Sequence, residues 1–230
     1  MKSLILISAL LIGQTLFGQC RIDPNVKSEF DSLFSKQPKE IQDKRYIKGF
    51  DNGFALLLSF KEDTLNIKDF VPIVTDTSIK IVSVDENGNE LPELSKDTTK
   101  YNQWLSCQAT YLNDTLGIGT FFGLLSGLSF SIKIIGDKTI GNFYEYSSGD
   151  NIYRYKLTST KSTNIQVDAK TENVILSKMP QKLGDVFYGK ATLMTEPFYE
   201  DDSEFKNGFI YKRYLVTFLF TCRLIDNEEK

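Results

Sequence analysis

The stretch YLVTFLFTCRL, residues 214–224, decides the fold. One face carries every second side chain of the stretch and is strongly apolar: Tyr214, Val216, Phe218, Phe220, Cys222 and Leu224. A period of two is typical of a β-strand, because successive side chains of an extended chain point to opposite faces. The length and apolar character of this face predict a central strand of a β-sheet.

The same alternation recurs upstream. Leu105, Cys107, Ala109 and Tyr111 share one face of a second predicted strand, and residues 54–60 form a compact apolar run. In a third strand, one face carries Phe130, Ile132 and Ile134 and the other carries Ser129, Ser131 and Lys133. Residues 78–84 lead into Asn87-Gly88, a pair that favours a hairpin turn. Short strands separated by turn signals predict a mostly-β fold, an antiparallel β-sandwich or an open barrel.

Residues 115–132 contain no charge and allow two interpretations. Small residues spaced four apart, as at Gly119, Gly123 and Gly127, let membrane helices pack closely. However, each glycine in a helix costs about 1 kcal/mol relative to alanine, and the alternation of residues 129–134 continues past Lys133. We therefore predict a hairpin of strands 116–123 and 128–135, and no transmembrane helix.

A second hairpin is predicted around a turn at Gly149-Asp150. In that register Tyr146 lies opposite Tyr153, Tyr144 lies opposite Tyr155, and Glu145 faces Arg154. Aromatic and opposite-charge pairs across strands are favourable. Four tyrosines on one hairpin are the candidate binding residues, as a platform that stacks on sugar rings: Tyr144, Tyr146, Tyr153 and Tyr155. The alternative is that these rings face the core.

A short amphipathic helix is predicted near the N-terminus. Asp23 is a suitable cap, and Pro24 fits the first helical turn. Val26, Phe30, Leu33 and Phe34 then form one apolar stripe, and Pro38 ends the helix. We expect the stripe to pack on the sheet rather than on a partner.

Residues 1–18 have the pattern of a secretory signal peptide. Lys2 precedes an apolar core at residues 4–12, and Gly18 precedes the expected cut. The mature chain, residues 19–230, is predicted to be one mostly-β domain, the alternative being two β domains divided within the polar segment 85–103. The protein is expected in the periplasm, at the cell surface or secreted. Cys20 is the lipidation candidate that would make it a membrane lipoprotein instead.

The cysteines predict a disulfide. Cys107 and Cys222 both fall on the apolar phase of their strands, so we predict that both are buried and joined to each other. Export permits oxidation. A bond from Cys20 to either residue and a chain without any disulfide are the alternatives.

The composition excludes several function classes. The chain has no histidine, which removes histidine-based triads and zinc hydrolase motifs. Its net charge of -3 argues against nucleic acid as a partner. The acidic stretches 85–90 and 200–204 are interpreted as solvated turns rather than calcium sites. No catalytic residue, metal site or cofactor is predicted.

These observations favour an exported, non-catalytic β domain that serves as a binding or structural module of the cell envelope. A glycan or an envelope protein is the expected partner. One alternative is a carboxylate-dependent polysaccharide hydrolase, although the sequence nominates no carboxylate pair. The other is a small outer-membrane β-barrel.

Overall fold

The structure is a computed structural model that describes residues 18–37, 42, 52–64, 69–72, 104–123, 127–202 and 208–226. The predicted leader lies outside these residues except for Gly18, which is the first residue of a strand. The segment 85–103, with its predicted turn at Asn87-Gly88, also lies outside them.

The described residues form one helix and twelve strands. The helix is α1 (Asn25–Phe34). The strands are β1 (Gly18–Ile22), β2 (Gly53–Thr64), β3 (Asp69–Pro72), β4 (Trp104–Leu112), β5 (Thr115–Gly123), β6 (Gly127–Ile135), β7 (Lys138–Tyr146), β8 (Tyr153–Arg154), β9 (Asn164–Leu176), β10 (Val186–Thr195), β11 (Phe198–Asp201) and β12 (Phe209–Arg223).

Eight of the strands close a ring. Each pairs antiparallel with the next in the order β2, β4, β5, β6, β7, β9, β10 and β12, and β12 pairs back with β2. β1 inserts between β7 and β9, whereas β3, β11 and β8 extend the sheet. The predicted mostly-β, antiparallel fold with a short N-terminal helix is confirmed, and the ring of pairings makes it a barrel.

Aromatic side chains fill the interior of the barrel. The largest fully buried rings belong to Phe130, Phe143, Phe187, Phe198, Phe218 and Phe220. The predicted inner faces of β4, β6 and β12 are confirmed, because Leu105, Cys107, Ile132 and Val216 are all at most 2% exposed. An eight-stranded barrel encloses a space that side chains alone can fill. A ligand-binding surface is therefore to be sought on the outside or at the ends.

Among the described residues, the seam between β2 and β4 is the shortest in the ring. Three described residue pairs join the two strands, from Phe54 to Leu56 on β2. The Cys107–Cys222 disulfide links β4 to β12 beside this seam, with Cα atoms 5.4 Å apart. Both cysteines are buried, as predicted. The predicted pair is thus joined, and the bond supports the ring where backbone pairing is sparse.

One predicted hairpin is confirmed. β5 and β6 pair in register from Thr115 opposite Ile135 to Gly123 opposite Gly127. The apolar segment is therefore two strands. Among the described residues, no helix has the length and apolar character needed to cross a membrane.

The other predicted hairpin is wrong. β7 pairs with β9, which places Glu145 opposite Ile165 and Tyr146 opposite Asn164. Tyr153 and Arg154 form β8, which pairs with β11. The hairpin would have offered only a few aromatic and charged pairs, whereas the non-local pairing of β7 with β9 covers six residue pairs and buries a strand face of the core. The longer pairing prevails because apolar burial is the larger contribution.

The helix packs on the outside of the barrel as predicted. Val26 and Phe30 are buried against Phe54, Leu56 and other outward residues of the sheet. The Asp23 carboxylate accepts a hydrogen bond from the backbone N–H of Asn25 at 2.9 Å, which satisfies a free donor at the helix start. The apolar stripe therefore serves the protein's own core.

The interior requires glycine at Gly189 of β10. A Cβ atom there would lie 2.1 Å from Cζ of Phe220. We expect Gly189→Ala to lower the free energy of unfolding by about 1–3 kcal/mol through overpacking, measured by urea denaturation. The matched control is Gly119→Ala on β5, where a Cβ meets nothing within 4 Å. The control should be neutral or stabilising by about 0.4–1 kcal/mol, and equal losses in both variants would contradict this account of the packing.

Candidate functional site

An exposed aromatic surface lies on the outside of the barrel across β5, β6 and β7. Phe121 and Tyr144 are 41% and 37% exposed, and they flank Ser129 in neighbouring strands. Tyr146 lies on the same side of β7 as Tyr144, two residues further along. We call Phe121, Tyr144 and Tyr146 the outer aromatic face.

The rings of the outer aromatic face form a continuous surface. Phe121 and Tyr146 have ring centroids 6.3 Å apart and planes only 3° from parallel. Tyr144 and Tyr146 have centroids 6.0 Å apart with planes at 30°. Contiguous exposed apolar surface on a soluble protein marks an interaction site more often than scattered apolar residues do.

Polar groups border these rings. Gln166 of β9 lies opposite Tyr144 in the register. Asn142, one side-chain repeat before Tyr144 on β7, donates a hydrogen bond from Nδ2 to Oδ1 of Asp168 at 2.8 Å, and this pair is exposed to solvent. An amide and a carboxylate thus lie beside the aromatic rings, where the amide can donate to or accept from the hydroxyl groups of a ligand and the carboxylate can accept from them.

Two positions on the strand surface beside the rings, Gly117 and Gly119, carry no side chain. A Cβ on Gly119 would meet nothing within 4 Å, and one on Gly117 would only make ordinary contact with Thr110, its Oγ1 3.6 Å away. Glycine weakens a strand, and where packing does not require it, it often marks a position that another molecule approaches closely. These two glycines do not serve packing within the described part of the chain.

The four tyrosines predicted from the sequence do not stay together. Tyr144 and Tyr146 belong to the outer aromatic face. Tyr155 is 55% exposed, and its hydroxyl accepts a hydrogen bond from the backbone N–H of Gln166 at 3.4 Å. Tyr153 is only 4% exposed and packs against Phe198 inside the barrel end. Tyr153 therefore lies on the inside because the predicted hairpin is not formed.

A second, buried site lies at the end of the barrel where β12 begins. Lys212 is only 5% exposed, and its ammonium group forms ion pairs with Glu62 at 3.3 Å and with Glu200. The ammonium also lies 4.9 Å from the ring centre of Tyr214. Buried charges need partners of this kind. We call Glu62, Glu145, Glu200 and Lys212 the buried charge cluster.

Glu145 is the unusual member of the cluster. Its carboxylate accepts a hydrogen bond from the hydroxyl of Tyr214 at 3.4 Å. Burial raises the pKa of Glu145 from its ordinary 4.5 to about 7, and the nearby charges of Glu200 and Glu62 add to this, whereas Lys212 and the Tyr214 hydroxyl oppose it. Glu145 therefore holds a proton up to neutral pH, as general acids and proton-linked switches do.

Lys212 and Tyr214, two neighbours of Glu145, keep their usual protonation states. Burial lowers the pKa of Lys212, but the carboxylates of Glu145, Glu200 and Glu62 outweigh it, so the net shift is upward and the ammonium stays charged. Burial raises the pKa of Tyr214, and the same carboxylates add to the shift. The Tyr214 hydroxyl accordingly remains a donor throughout the physiological range.

The buried charge cluster was missed in the sequence. Lys212 is two residues before Tyr214, so it continues the inward face of β12, and Glu145 likewise continues the inward phase of Phe143 on β7. A charge at an inward position is the signal that could have found them. The predicted hairpin instead placed Glu145 opposite Arg154, which concealed that signal.

Two further features, Cys20 and an open pocket, lie outside these two sites. Cys20 of β1 is half-buried against the main core, and burial raises the pKa of its thiol to about 11; its lipidation stays a prediction. At the opposite end of β12 from Lys212, an open pocket of about 320 Å³ is lined by Tyr111, Leu183, Leu224 and their neighbours.

Comparison of the chain with protein-family models, with curated proteins and with solved structures finds no significant match. We therefore infer the function from the outer aromatic face and the buried charge cluster.

Proposed function

We propose that the protein is an exported, non-catalytic binding module that holds carbohydrate chains on the outer aromatic face. The observation that carries the proposal is the arrangement of Phe121, Tyr146 and Tyr144, in which the first two rings are near-parallel, Tyr144 lies at 30° to Tyr146, and Phe121 and Tyr144 are exposed. The C–H face of a sugar ring is apolar and flat, so it can cover an aromatic ring. Its hydroxyl groups point outward from the ring edge, toward the amide and carboxylate of Asn142 and Asp168.

Two other properties support this choice of ligand. The net charge of -3 disfavours nucleic acid, whose bases could also stack on such rings. The absence of side chains at Gly117 and Gly119 leaves room for a ligand that lies flat against the sheet. Export is supported by the expected leader at residues 1–18 and by the disulfide between Cys107 and Cys222, since such bonds persist in oxidising compartments.

The proposal is tested by screening the purified protein against polysaccharides, followed by calorimetry on the best ligand. We expect Tyr144→Ala and Tyr146→Ala each to weaken binding about fivefold, because an aromatic contact contributes on the order of 1 kcal/mol. The matched control is Tyr211→Ala, which breaks a tyrosine stack with Tyr199 at 4.3 Å on β11 and β12, outside the proposed site. Binding that survives both substitutions on β7 would refute the assignment.

A carboxylate-dependent polysaccharide hydrolase is the second candidate. It is favoured by the buried charge cluster, in which Glu145 holds a proton while Glu62 and Glu200 are paired with Lys212. A buried carboxyl group that holds its proton beside two ion-paired carboxylates can serve as a general acid. Release of reducing ends during the same incubations, lost in Glu145→Gln but retained in Tyr144→Ala, would favour this function over simple binding.

A further inference from the structure

Two short strands close over the buried charge cluster. β11 pairs with the first residues of β12, and β8 pairs with the outer side of β11. We call β8 and β11 the cap. Its inward side chains include Tyr153 and Phe198, which pack on each other with ring centres 6.3 Å apart, and Phe198 also contacts Tyr214 of the barrel.

Charged contacts hold the cap from both sides. On the inside, Glu200 of the cap is paired with Lys212. On the outside, Asp201 of β11 is paired with Arg154 of β8 and with Lys161. The inner contact joins the cap to the barrel, whereas the outer contacts join parts of the cap and its flanking loop to each other.

The cluster has fewer positive than negative groups. Among the described residues, the titratable and charged groups that face Glu145 come from four neighbouring elements: Glu62 of β2, Tyr153 of β8, Glu200 of β11, and Lys212 and Tyr214 of β12. Leu128 and Ile165, opposite Glu145 on β6 and β9, are apolar. Lys212 is the single cation among these groups and already binds two carboxylates, Glu62 and Glu200. An ionised Glu145 would therefore add a third carboxylate to the two that already surround the ammonium of Lys212.

We propose that Glu145, Lys212 and Glu200 form a pH-sensitive latch, which holds the cap on the barrel while Glu145 is protonated and releases it when Glu145 ionises. The proton leaves to solvent, and no other group gains or loses a proton. The ionised Glu145 then competes with Glu200 for the ammonium of Lys212. Opening the cap hydrates the carboxylates and removes this competition.

The direction of the pH effect follows from the raised pKa of Glu145. In the closed state that pKa is about 7, and in a hydrated, open state it returns toward 4.5. The open state therefore gains stability relative to the closed state as pH rises from about 4.5, and the gain levels off above about 7. From these two values the opening constant should rise about 30-fold between about pH 5.5 and pH 8.5.

Hydrogen exchange with mass spectrometry tests the latch, after correction for the intrinsic effect of pH on exchange. In the wild-type protein we expect peptides covering residues 150–163 and 196–202 to show the 30-fold rise in opening, while β9 and β10 stay protected. Glu145→Gln should abolish the rise. The matched control is Glu172→Gln, an exposed carboxylate on the outer side of β9, which should leave the rise unchanged.

Tyr214→Phe is a second variant, for which we expect a shift of the opening transition in one direction. The Tyr214 hydroxyl stabilises the ionised form of Glu145, so its removal should move the opening transition to higher pH. The latch is overturned if opening rises equally in Glu145→Gln, if it falls with pH, or if β9 and β10 lose protection together with the cap. Carbohydrate binding plays no part in this measurement, so its result is independent of the proposed function.

Discussion

Replacing Cys107 and Cys222 together by alanine is expected to lower the free energy of unfolding by about 4–5 kcal/mol. The bond spans a sequence separation of 115 residues, and in the chain-entropy model a loop of that length gives about this stabilisation. The effect is expected near the top of the range because the bond supports the seam where β2 and β4 share three residue pairs within the described part of the chain. A domain of ordinary stability has only about 5–15 kcal/mol in total, so the variant should be close to unfolding.

Urea denaturation with and without a reductant measures this effect. Both sulfurs are buried, so equilibrium must be reached at each denaturant concentration to let the reductant act on unfolded chains. The matched control is Cys20→Ala, which removes a half-buried thiol outside the bond and should lose less than about 2 kcal/mol. A wild-type midpoint that is unaffected by reductant would contradict the prediction.

Local alternation was enough to predict much of the barrel wall. The inward phases of β4, β6 and β12 follow from a period of two, because each of these strands has one face in the core. The pairing of β5 with β6 followed as well, since a short turn joins them. Closure of the ring could not be predicted in this way, because the contact of β2 with β12 joins residues far apart in the chain and leaves no periodic signal.

The candidate sites, like the barrel, could be predicted from the sequence only in part. Tyr144 and Tyr146 lie on one side of β7, as alternation predicts for any strand, although the hairpin from which they were proposed does not form. Phe121 was not nominated, because it reaches the outer aromatic face through β6 and not through a sequence neighbour. The buried charge cluster gathers Glu62, Glu145, Glu200 and Lys212 from four strands, of which only β11 and β12 are close in the chain, so its members meet only in the folded barrel.

The inner and outer sites share β7. Glu145 points into the buried charge cluster, while Tyr144 and Tyr146 on either side of it point to the outer aromatic face, because successive residues of a strand alternate. A movement of this strand end would therefore reach both sites. The pH dependence of carbohydrate binding, compared between wild type and Glu145→Gln, would measure such a connection directly.

Lys212→Met is expected to be the most damaging single charge substitution in the described part of the barrel, lowering the free energy of unfolding by about 3–5 kcal/mol at pH 8. Removing one partner of a buried ion pair leaves the other without compensation. Here the substitution leaves the carboxylates of Glu62 and Glu200 next to Glu145, with the single cation of the cluster gone. The methionine keeps most of the apolar volume, so the loss is chiefly electrostatic.

The pH dependence of this loss identifies its origin. Without Lys212, which lowers the pKa of Glu145, that pKa should rise further above its unfolded value, so the folded state binds more protons than the unfolded state and loses stability as pH increases through the interval between the two values. Denaturation of Lys212→Met should therefore show a larger deficit at pH 8 than at pH 5. The matched control is Lys190→Met, whose ion pair with Glu29 at 2.5 Å is partly exposed, and which should lose no more than about 1 kcal/mol at either pH. A deficit for Lys212→Met that is equal at both pH values, or that matches the control, would show that the ammonium group does not neutralise the carboxylates at the end of the barrel.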